Sequence, residues 1–422
     1  MTISINFNYK ISLPDCNIET IIACFKKVLV LFLADFVISI LTEFAESYMN
    51  QESQPFECGK CGSNNNFIWK TKNAKDTRIG TIFGVIKVGQ MQVACKGCGK
   101  KVYITRKLLD IAPRKLMSDG TKKVFGLLGS LTSFRVSETI LKMVGVKMDK
   151  MSVWRCTQDV GEKLEFGLDI NEKARGEADG TGVAIQGIKK RGKELKVFVQ
   201  EKFAGGVRIA GLSIGPYEGE WDKLFNPLKS SLKMFESFLL VTDGDSAILR
   251  SIKGVKIIFQ RCLWHLPYQM KYYLWKDGVK RKTEEWYYLL GEIFDITAIR
   301  YGLDDEKEIE AIIEAKSKRL ESLISYCLEK GYTSCRSYLE NSRHDLFVAF
   351  RNRLDGATTS KVERVMRTVN MRTKMGKWSA NGALNAIKVR LAYYYNGFDP
   401  LEEMNQKEVH VYLDVRGKRL LT

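Results

Sequence analysis

Asp179, Asp243 and Glu363 are three acidic residues whose settings suit phosphoryl transfer. Asp179 lies in RGEADGTGVAI, Asp243 ends the apolar run of FLLVTDGDSAI, and Glu363 sits inside the helical stretch TTSKVERVMRTVNMRTKMGKWSANGALNAI. Two aspartates on or at the ends of strands and a glutamate on a late helix can converge on one point. Carboxylates so placed hold two divalent ions about 3.5–4 Å apart, which stabilise the attacking and leaving oxygens of an in-line displacement. Each residue also has a plainer reading. Asp-Gly beside a strand is a turn signal, and a lone helical glutamate faces solvent. Asp245 rivals Asp243; Asp243 is preferred because it directly follows the buried run, leaving Asp245 to cap the next helix.

Thiols offer a second chemistry. Cys58-Gly-Lys-Cys61 and Cys95-Lys-Gly-Cys98 are paired Cys-x-x-Cys turns, each followed by glycine. Tetrahedral zinc takes four thiolates from such turns, and the glycines let the backbone fold tightly around the metal. The run from Thr81 to Val93 between them reads as strand, as a zinc ribbon requires, although 33 intervening residues make a long ribbon loop. Disulfides are the alternative, but the other six cysteines show no framework. Cys327, Cys335 and His344 are too loosely spaced to read as a second metal site.

The elements that must position the carboxylates are legible in outline. Leu195 to Gln200 and Arg208 to Ile214 alternate apolar and polar residues, a strand signature. Gly215, Pro216 and Gly219 break the chain, and a helix is predicted from about Asn226 to Phe235, with Asn226 as cap and Pro227 in its first turn. A buried strand leads to Asp243, a short helix follows, and Val255 to Phe259 reads as a further strand. Three strands, helix, strand, helix, strand describe an α/β sheet whose first strands pair in sequence.

With these residues in order, the chain resembles the DDE transposases of the Mutator-like group and their prokaryotic insertion-sequence relatives. The resemblance rests on ADGT around Asp179, VTDGDSAI around Asp243, QRCLWHLPYQMKYYL at 260–274 and SKVERVMRTVNMRTKMGKWSANGA at 360–383, and covers roughly residues 55 to 395. It implies a ribonuclease-H-like catalytic domain with an all-helical insertion before the glutamate, for which the 120 positions from Asp243 to Glu363 leave room. It implies Mg2+ (or Mn2+) at the three carboxylates, with Asp179 bridging both ions and Asp243 and Glu363 holding one each. The expected activity is cleavage of a phosphodiester at the element's end, then attack of the freed 3′-hydroxyl on target DNA. Such proteins carry a Cys-x-x-His beside the active site, matched by Cys262 and His265. His265 then contacts the scissile phosphate or a flanking strand; equally, the pair reads as a buried Cys and a helix-capping His. Two alternatives stay open: a transposase-derived DNA-binding regulator without catalysis, and a ribonuclease-H-like nuclease without strand transfer.

A helix-turn-helix is read ahead of that domain. Asp119 to Leu128 forms one helix, Ser137 to Val144 a second with Ser137 as cap, Gly145 and Val146 the turn, and a third starts at Lys150 behind Asp149 and runs to about Leu164. Its last helix enters the major groove, so Lys150, Ser152 and Arg155 face DNA while Val153 and Trp154 pack; the alternative is an ordinary helical linker. On and after the Glu363 helix, Arg364, Arg367, Arg372 and Lys374 suit phosphate contacts. Trp378 is read as core before it is read as a base-stacking residue.

Composition fits a nucleic-acid partner: 67 Lys and Arg against 49 Asp and Glu give a net charge of +18, which attracts phosphate backbones whatever their sequence. The expected partners are double-stranded DNA, as element ends and target, and further copies of the chain, because two ends are cut together in a dimer or larger assembly. Ile18 to Tyr48 reads as one long helix, buried or dimerising, and its apolar run contains Asp35 and is too short to span a membrane. With no leader or lipidation motif read, a cytoplasmic, nucleoid-associated protein is expected. The predicted organisation is a helical segment at 1–50, zinc ribbon at 51–106, helix-turn-helix at 107–168, catalytic domain at 169–278, helical insertion at 279–356, the last catalytic part at 357–400 and a tail at 401–422.

Overall fold

The computed structural model describes residues 9–409 apart from 16, 52–53, 55, 65–66, 112–114, 188–192, 217–218, 300–302, 304 and 355, together with 412–415 and 418–421. It is mixed α/β, half of it helical, and divides into two compact units: Met1–Glu162 with Asp399–Thr422, and Lys163–Phe398. Among the described residues no helix is long and apolar enough to cross a membrane.

In the first unit, α1 (Ile18–Met49) starts at Asn17, whose side chain accepts the Thr20 N–H. The helix is expected to be buried or dimerising; within it only Leu41 and Ala45 are buried, while Ile18, Ile22, Phe25 and Leu31 are exposed. The strands are β1 (Phe67–Thr71), β2 (Asp76–Thr81), β3 (Gly84–Gly89), β4 (Gln92–Cys95) and β5 (Lys101–Tyr103). The strand expected over Thr81 to Val93 is broken at Ile82-Phe83 and at Gln90-Met91, so the run holds the end of β2, all of β3 and the start of β4; β2 and β3 pair antiparallel from Asp76 opposite Gly89 to Thr81 opposite Gly84. β1, β4 and β5 make an antiparallel sheet in the order β1-β4-β5. Alternate residues Ile86 and Val88 turn inward with Met91 and Val93 to form one core.

After α2 (Thr105–Leu108), three helices follow: α3 (Asp119–Leu131), α4 (Phe134–Met143) and α5 (Lys150–Lys163). They enclose Phe125, Leu141, Val146, Val153 and Cys156. Ser118 caps α3 and Asp149 caps α5, accepting the Met151 and Ser152 N–H groups at 2.8 and 3.0 Å. The cap of α4 is Ser133 and not Ser137. Ser137 lies one turn into the helix, fully buried, its hydroxyl donating to the Ser133 carbonyl at 3.1 Å. The sequence SFRVSE holds two serines, and the extended backbone falls at the first.

The second unit opens with β6 (Arg175–Val183), β7 (Lys193–Glu201) and β8 (Val207–Gly215). Then come α6 (Glu220–Phe225), a 3-10 turn (Asn226–Leu228), α7 (Lys229–Leu232), β9 (Phe238–Thr242), α8 (Ser246–Ser251), β10 (Ile257–Arg261) and α9 (His265–Lys276). The helix expected from Asn226 starts earlier and breaks there. Pro227 has no N–H to continue an α-helix, and the chain tightens to a 3-10 turn at that point. The last strand begins at Ile257 rather than Val255, whose N–H closes the turn onto the Ile252 carbonyl at 3.2 Å. One five-stranded sheet results, ordered β10-β9-β6-β7-β8. β7 pairs antiparallel with β6 and β8, whereas β9 pairs parallel with β6 and β10.

Between β10 and the last helices lie α10 (Glu284–Thr297), α11 (Glu306–Glu329), α12 (Thr333–Ser342) and α13 (Val348–Arg351), sharing one apolar core with α9. Cys327 and Cys335 are fully buried in it and burial pushes the Cys327 thiol up to about 12, while His344 is exposed, so the three make no site. This helical stretch closes back on the sheet: the Arg261 and Leu263 N–H groups donate to the Asp345 and Ala357 carbonyls, each at 2.8 Å. Then α14 (Ser360–Thr373) packs on β6 and α15 (Ala380–Tyr395) on β8. The chain ends with α16 (Glu402–Asn405) and an antiparallel hairpin of β11 (Tyr412–Val415) and β12 (Lys418–Leu421).

Candidate functional site

The parallel register of β6 and β9 places Arg175 beside Leu239 and Glu177 beside Val241. Two residues beyond this last pair come Asp179, still within β6, and Asp243, just past the end of β9. The two aspartates are close enough for the charge of Asp243 to act on Asp179. Asp179 Oδ1 accepts the Gly180 N–H at 2.7 Å and Asp243 Oδ1 accepts the Asp245 N–H at 3.1 Å. Asp245 is engaged elsewhere: it caps α8 through the Ala247 N–H at 2.9 Å and takes the Trp221 indole N–H at 3.1 Å. Gly244 between them has φ +92°, and a Cβ there would lie 2.2 Å from Arg261 Nη1, so the turn admits only glycine.

Glu363, on the first turn of α14, completes the group. Burial pushes the Asp179 carboxyl up to about 6, and the charges of Asp243 and Glu363 add to it against the Gly180 N–H. Burial likewise raises Asp243. His265 stands among them, its Nε2 3.7 Å from Glu363 Oε1. Thr359 ties the group together: its Oγ1 is 3.2 Å from His265 Nδ1, 3.3 Å from Cys262 Sγ and 3.5 Å from Glu363 Oε1. Burial opposes charge on His265, but Cys262, Asp179 and Asp243 outweigh it and hold the imidazole up at about 9. His265 is the first residue of α9 and not its N-cap, which is Trp264. Among the described residues, the carboxylates do not bring ligand atoms within 4.8 Å of one another as the cysteines do.

Sequence reading missed Glu177. It is fully buried, and its Oε2 accepts the Lys361 and Val362 N–H groups at 2.9 and 2.8 Å, clamping the start of the helix that carries Glu363. Burial first, then Glu201, raises its carboxyl to about 7 against the Val362 N–H. Glu201 in turn pairs with Arg175 at 2.7 Å and with Lys361. The available signal was the spacing: Glu177 and Asp179 are two apart on one strand and share a face.

Of the basic residues, Arg364, Arg367 and Lys374 are exposed, as are Lys150 and Arg155 on α5. Ser152 instead serves the cap, its hydroxyl donating to Asp149 Oδ2 at 2.8 Å. Arg372 is a correction: it is 2% exposed, its guanidinium 4.3 Å from the Trp378 ring centre. Burial and then Arg390 push it down to about 10. It recurs with Val365 and Val369 at i, i+4, i+7, the core face of α14, and cannot reach DNA. Trp378 is core, as first read, its indole N–H donating to the Thr373 carbonyl at 3.1 Å.

In the first unit the four cysteines form the one close-packed ligand set among the described residues, with all Sγ atoms within 4.8 Å of one another. Cys58 and Cys98 are 3.5 Å apart, Cys61 and Cys95 3.6 Å; four thiolates at the usual Zn–S distance stand about 3.8 Å apart. Two matching turns build the set: Gly62 and Gly99, at φ +68° and +70°, donate to the Cys58 and Cys95 carbonyls at 2.8 and 2.9 Å. The Cys61 and Lys60 N–H groups pull the Cys58 thiol down to about 6. The Ser63 N–H favours a Cys61 thiolate, yet Cys95 and Cys58 push it up to about 12. Such mutual opposition is relieved by a cation at the centre, and the four can bind a structural metal such as zinc.

No family model matches the chain, and no curated protein matches it.

Proposed function

We propose that the protein is a DDE-type DNA transposase: a ribonuclease-H-like catalytic unit, interrupted by a helical insertion, behind a zinc ribbon and a helix-turn-helix. The observation that carries the reading is the parallel pairing of β6 and β9, which sets Glu177 beside Val241 two residues before Asp179 and Asp243, while Glu177 ties down the helix bearing Glu363. Three antiparallel strands followed by two parallel ones, with carboxylates on the first and fourth, agree with that class of fold.

The donor set fits hard divalent cations: carboxylate oxygens, two of them on aspartates whose pKa values burial raises, so that a bound cation would favour their charged form. When bound, Mg2+ or Mn2+ at Asp179, Asp243 and Glu363 supplies charge stabilisation at the attacking and leaving oxygens. His265 is positioned beside Glu363, where its imidazole can meet a phosphate oxygen. Arg364, Arg367 and Lys374 supply exposed charge for the backbone on either side. Lys150 and Arg155, at the open end of α5, are suited to read the element's terminal repeat.

The test is strand transfer. Purified full-length protein, supplied with Mg2+ or Mn2+, a duplex ending in a free 3′-hydroxyl and a supercoiled plasmid, is expected to join the duplex to the plasmid. Plasmid nicking without joining identifies a nuclease, and DNA binding with neither identifies a regulator; each overturns the reading.

A further inference from the structure

Helix α9 leaves the candidate site carrying a row of uncovered aromatic rings. Trp264, Tyr268, Tyr272 and Trp275 are 46%, 46%, 54% and 66% exposed. Their spacing of i, i+4, i+8 and i+11 puts all four on one side of the helix, over about 16 Å of its length. The opposite side, with Leu266, Met270 and Leu274, fills the core. The Trp264 and Tyr268 ring centres lie 4.1 Å apart with their planes tilted by 30°, and those of Tyr272 and Trp275 are 5.8 Å apart. The row begins next to the chemistry: the Trp264 ring is 5.4 Å from that of His265.

Four large rings left in water on a helix whose other face packs well call for an occupant. Charge identifies its class. Lys271 lies in the same row, its Nζ 4.3 Å from the Tyr268 ring centre, and Lys276 follows. No acidic residue lies between His265 and Lys276, and Asp277 beyond them is turned to the Ser334 and Cys335 N–H groups. Rings interleaved with cations match a chain of flat bases on a phosphate backbone. A second copy of this row would set lysine against lysine.

We propose that this face of α9 is a stacking platform for unpaired bases of single-stranded DNA leading to or from the candidate site. It deepens the transposase reading by naming the form of DNA held beside the cut. Stacking accepts any base, so the platform holds a strand without choosing its sequence.

The probe is a fluorescein-labelled (dT)15 strand, with a blunt duplex of equal length as control, bound to full-length protein without divalent metal. Tyr272→Ala with Trp275→Ala, both far from the carboxylates and on the exposed face, is expected to weaken (dT)15 binding by about tenfold or more and leave the duplex affinity unchanged. Tyr272→Phe with Trp275→Phe is expected to keep the affinity, since rings and not polar tips do the holding. Equal affinity of the alanine variant and wild type overturns the proposal. So does a wild-type oligomer that the alanine variant dissolves in sedimentation, which would make the row a protein interface. The assay needs neither metal nor cleavage, so its failure leaves the transposase reading standing, and failed strand transfer leaves the platform standing.

Discussion

The four-cysteine cluster and the carboxylate cluster gather ionisable ligands in opposite ways. The cysteines come from two copies of one local turn, closed on themselves with sulfurs 3.5–3.6 Å apart in the observed pairs. The carboxylates come from two strands and a distant helix, stay further apart, and admit His265 among them. Closed tetrahedral sets suit a metal that holds a fold; open sets leave room for a substrate. The difference teaches that a closed thiolate set can serve a fold through a bound metal, whereas burying the aspartates opposes their charge.

Breaking the closed site has the largest expected effect. Cys58→Ser, or a strong chelator, is expected to remove close to one equivalent of zinc per chain and to unfold the core around Ile86, Met91 and Val93, because metal binding supplies on the order of 10 kcal/mol to such folds. Elemental analysis with circular dichroism checks it; full zinc content in a variant lacking all four cysteines removes them as ligands. The open site is expected to respond the other way. Asp179→Asn, Asp243→Asn and Glu363→Gln each lower metal-dependent cleavage by about a thousandfold or more, while metal-free Asp179→Asn melts higher than wild type at pH 7, since a carboxyl raised to about 6 is a buried charge relieved. A lower melting temperature would show that Asp179 supports the fold.

Glu177 sharpens the contrast, as a clamp under the open site. Its carboxyl titrates near 4.5 when unfolded and at about 7 when folded. The folded chain holds the extra proton between those values. Glu177's contribution to stability is therefore greatest below about pH 4.5, falls by on the order of 3 kcal/mol as pH rises to 7, and is level above. Glu177→Gln is expected to flatten that slope in denaturant titrations and keep the helix in place, whereas Glu177→Ala frees α14 and slows cleavage by about ten- to a hundredfold. An unchanged slope in the Gln variant would assign the titration to another group. The smallest effect is at Arg155: alanine is expected to weaken binding to the element's end by about 1–3 kcal/mol and random duplex hardly at all, whereas Arg364→Ala weakens both alike and lowers the salt dependence. Competition at two salt concentrations separates them.

What could be read from the sequence followed the range of the forces involved. The cysteine turns repeat locally, so spacing and two glycines sufficed. Asp243 was marked by the apolar run before it and Asp245 by its cap position, both short-range signals. Ser137 was mistaken for Ser133 because two serines compete for one helix start, and only the fold chooses between them. Arg372 was read by its charge, although its place with Val365 and Val369 on α14 already indicated the core face. Glu177 and Thr359 were hidden for a different reason. Their partners lie 184 and about 95 residues away, at Lys361 and at Cys262 and His265, and no local pattern carries contacts at that range.

The helical stretch between β10 and α14 also has a consequence in time. Glu363 follows Asp243 by 120 residues, and a ribosome adding about 5–20 residues per second needs about 6–24 s to make them. During that interval β6 and β9 can pair and α9 can begin to pack, but the clamp at Glu177 has no helix to hold. Until α14 leaves the ribosomal exit tunnel, Glu177 lacks the Lys361 and Val362 N–H groups that it accepts in the folded chain, so Glu363 joins the two aspartates late in synthesis.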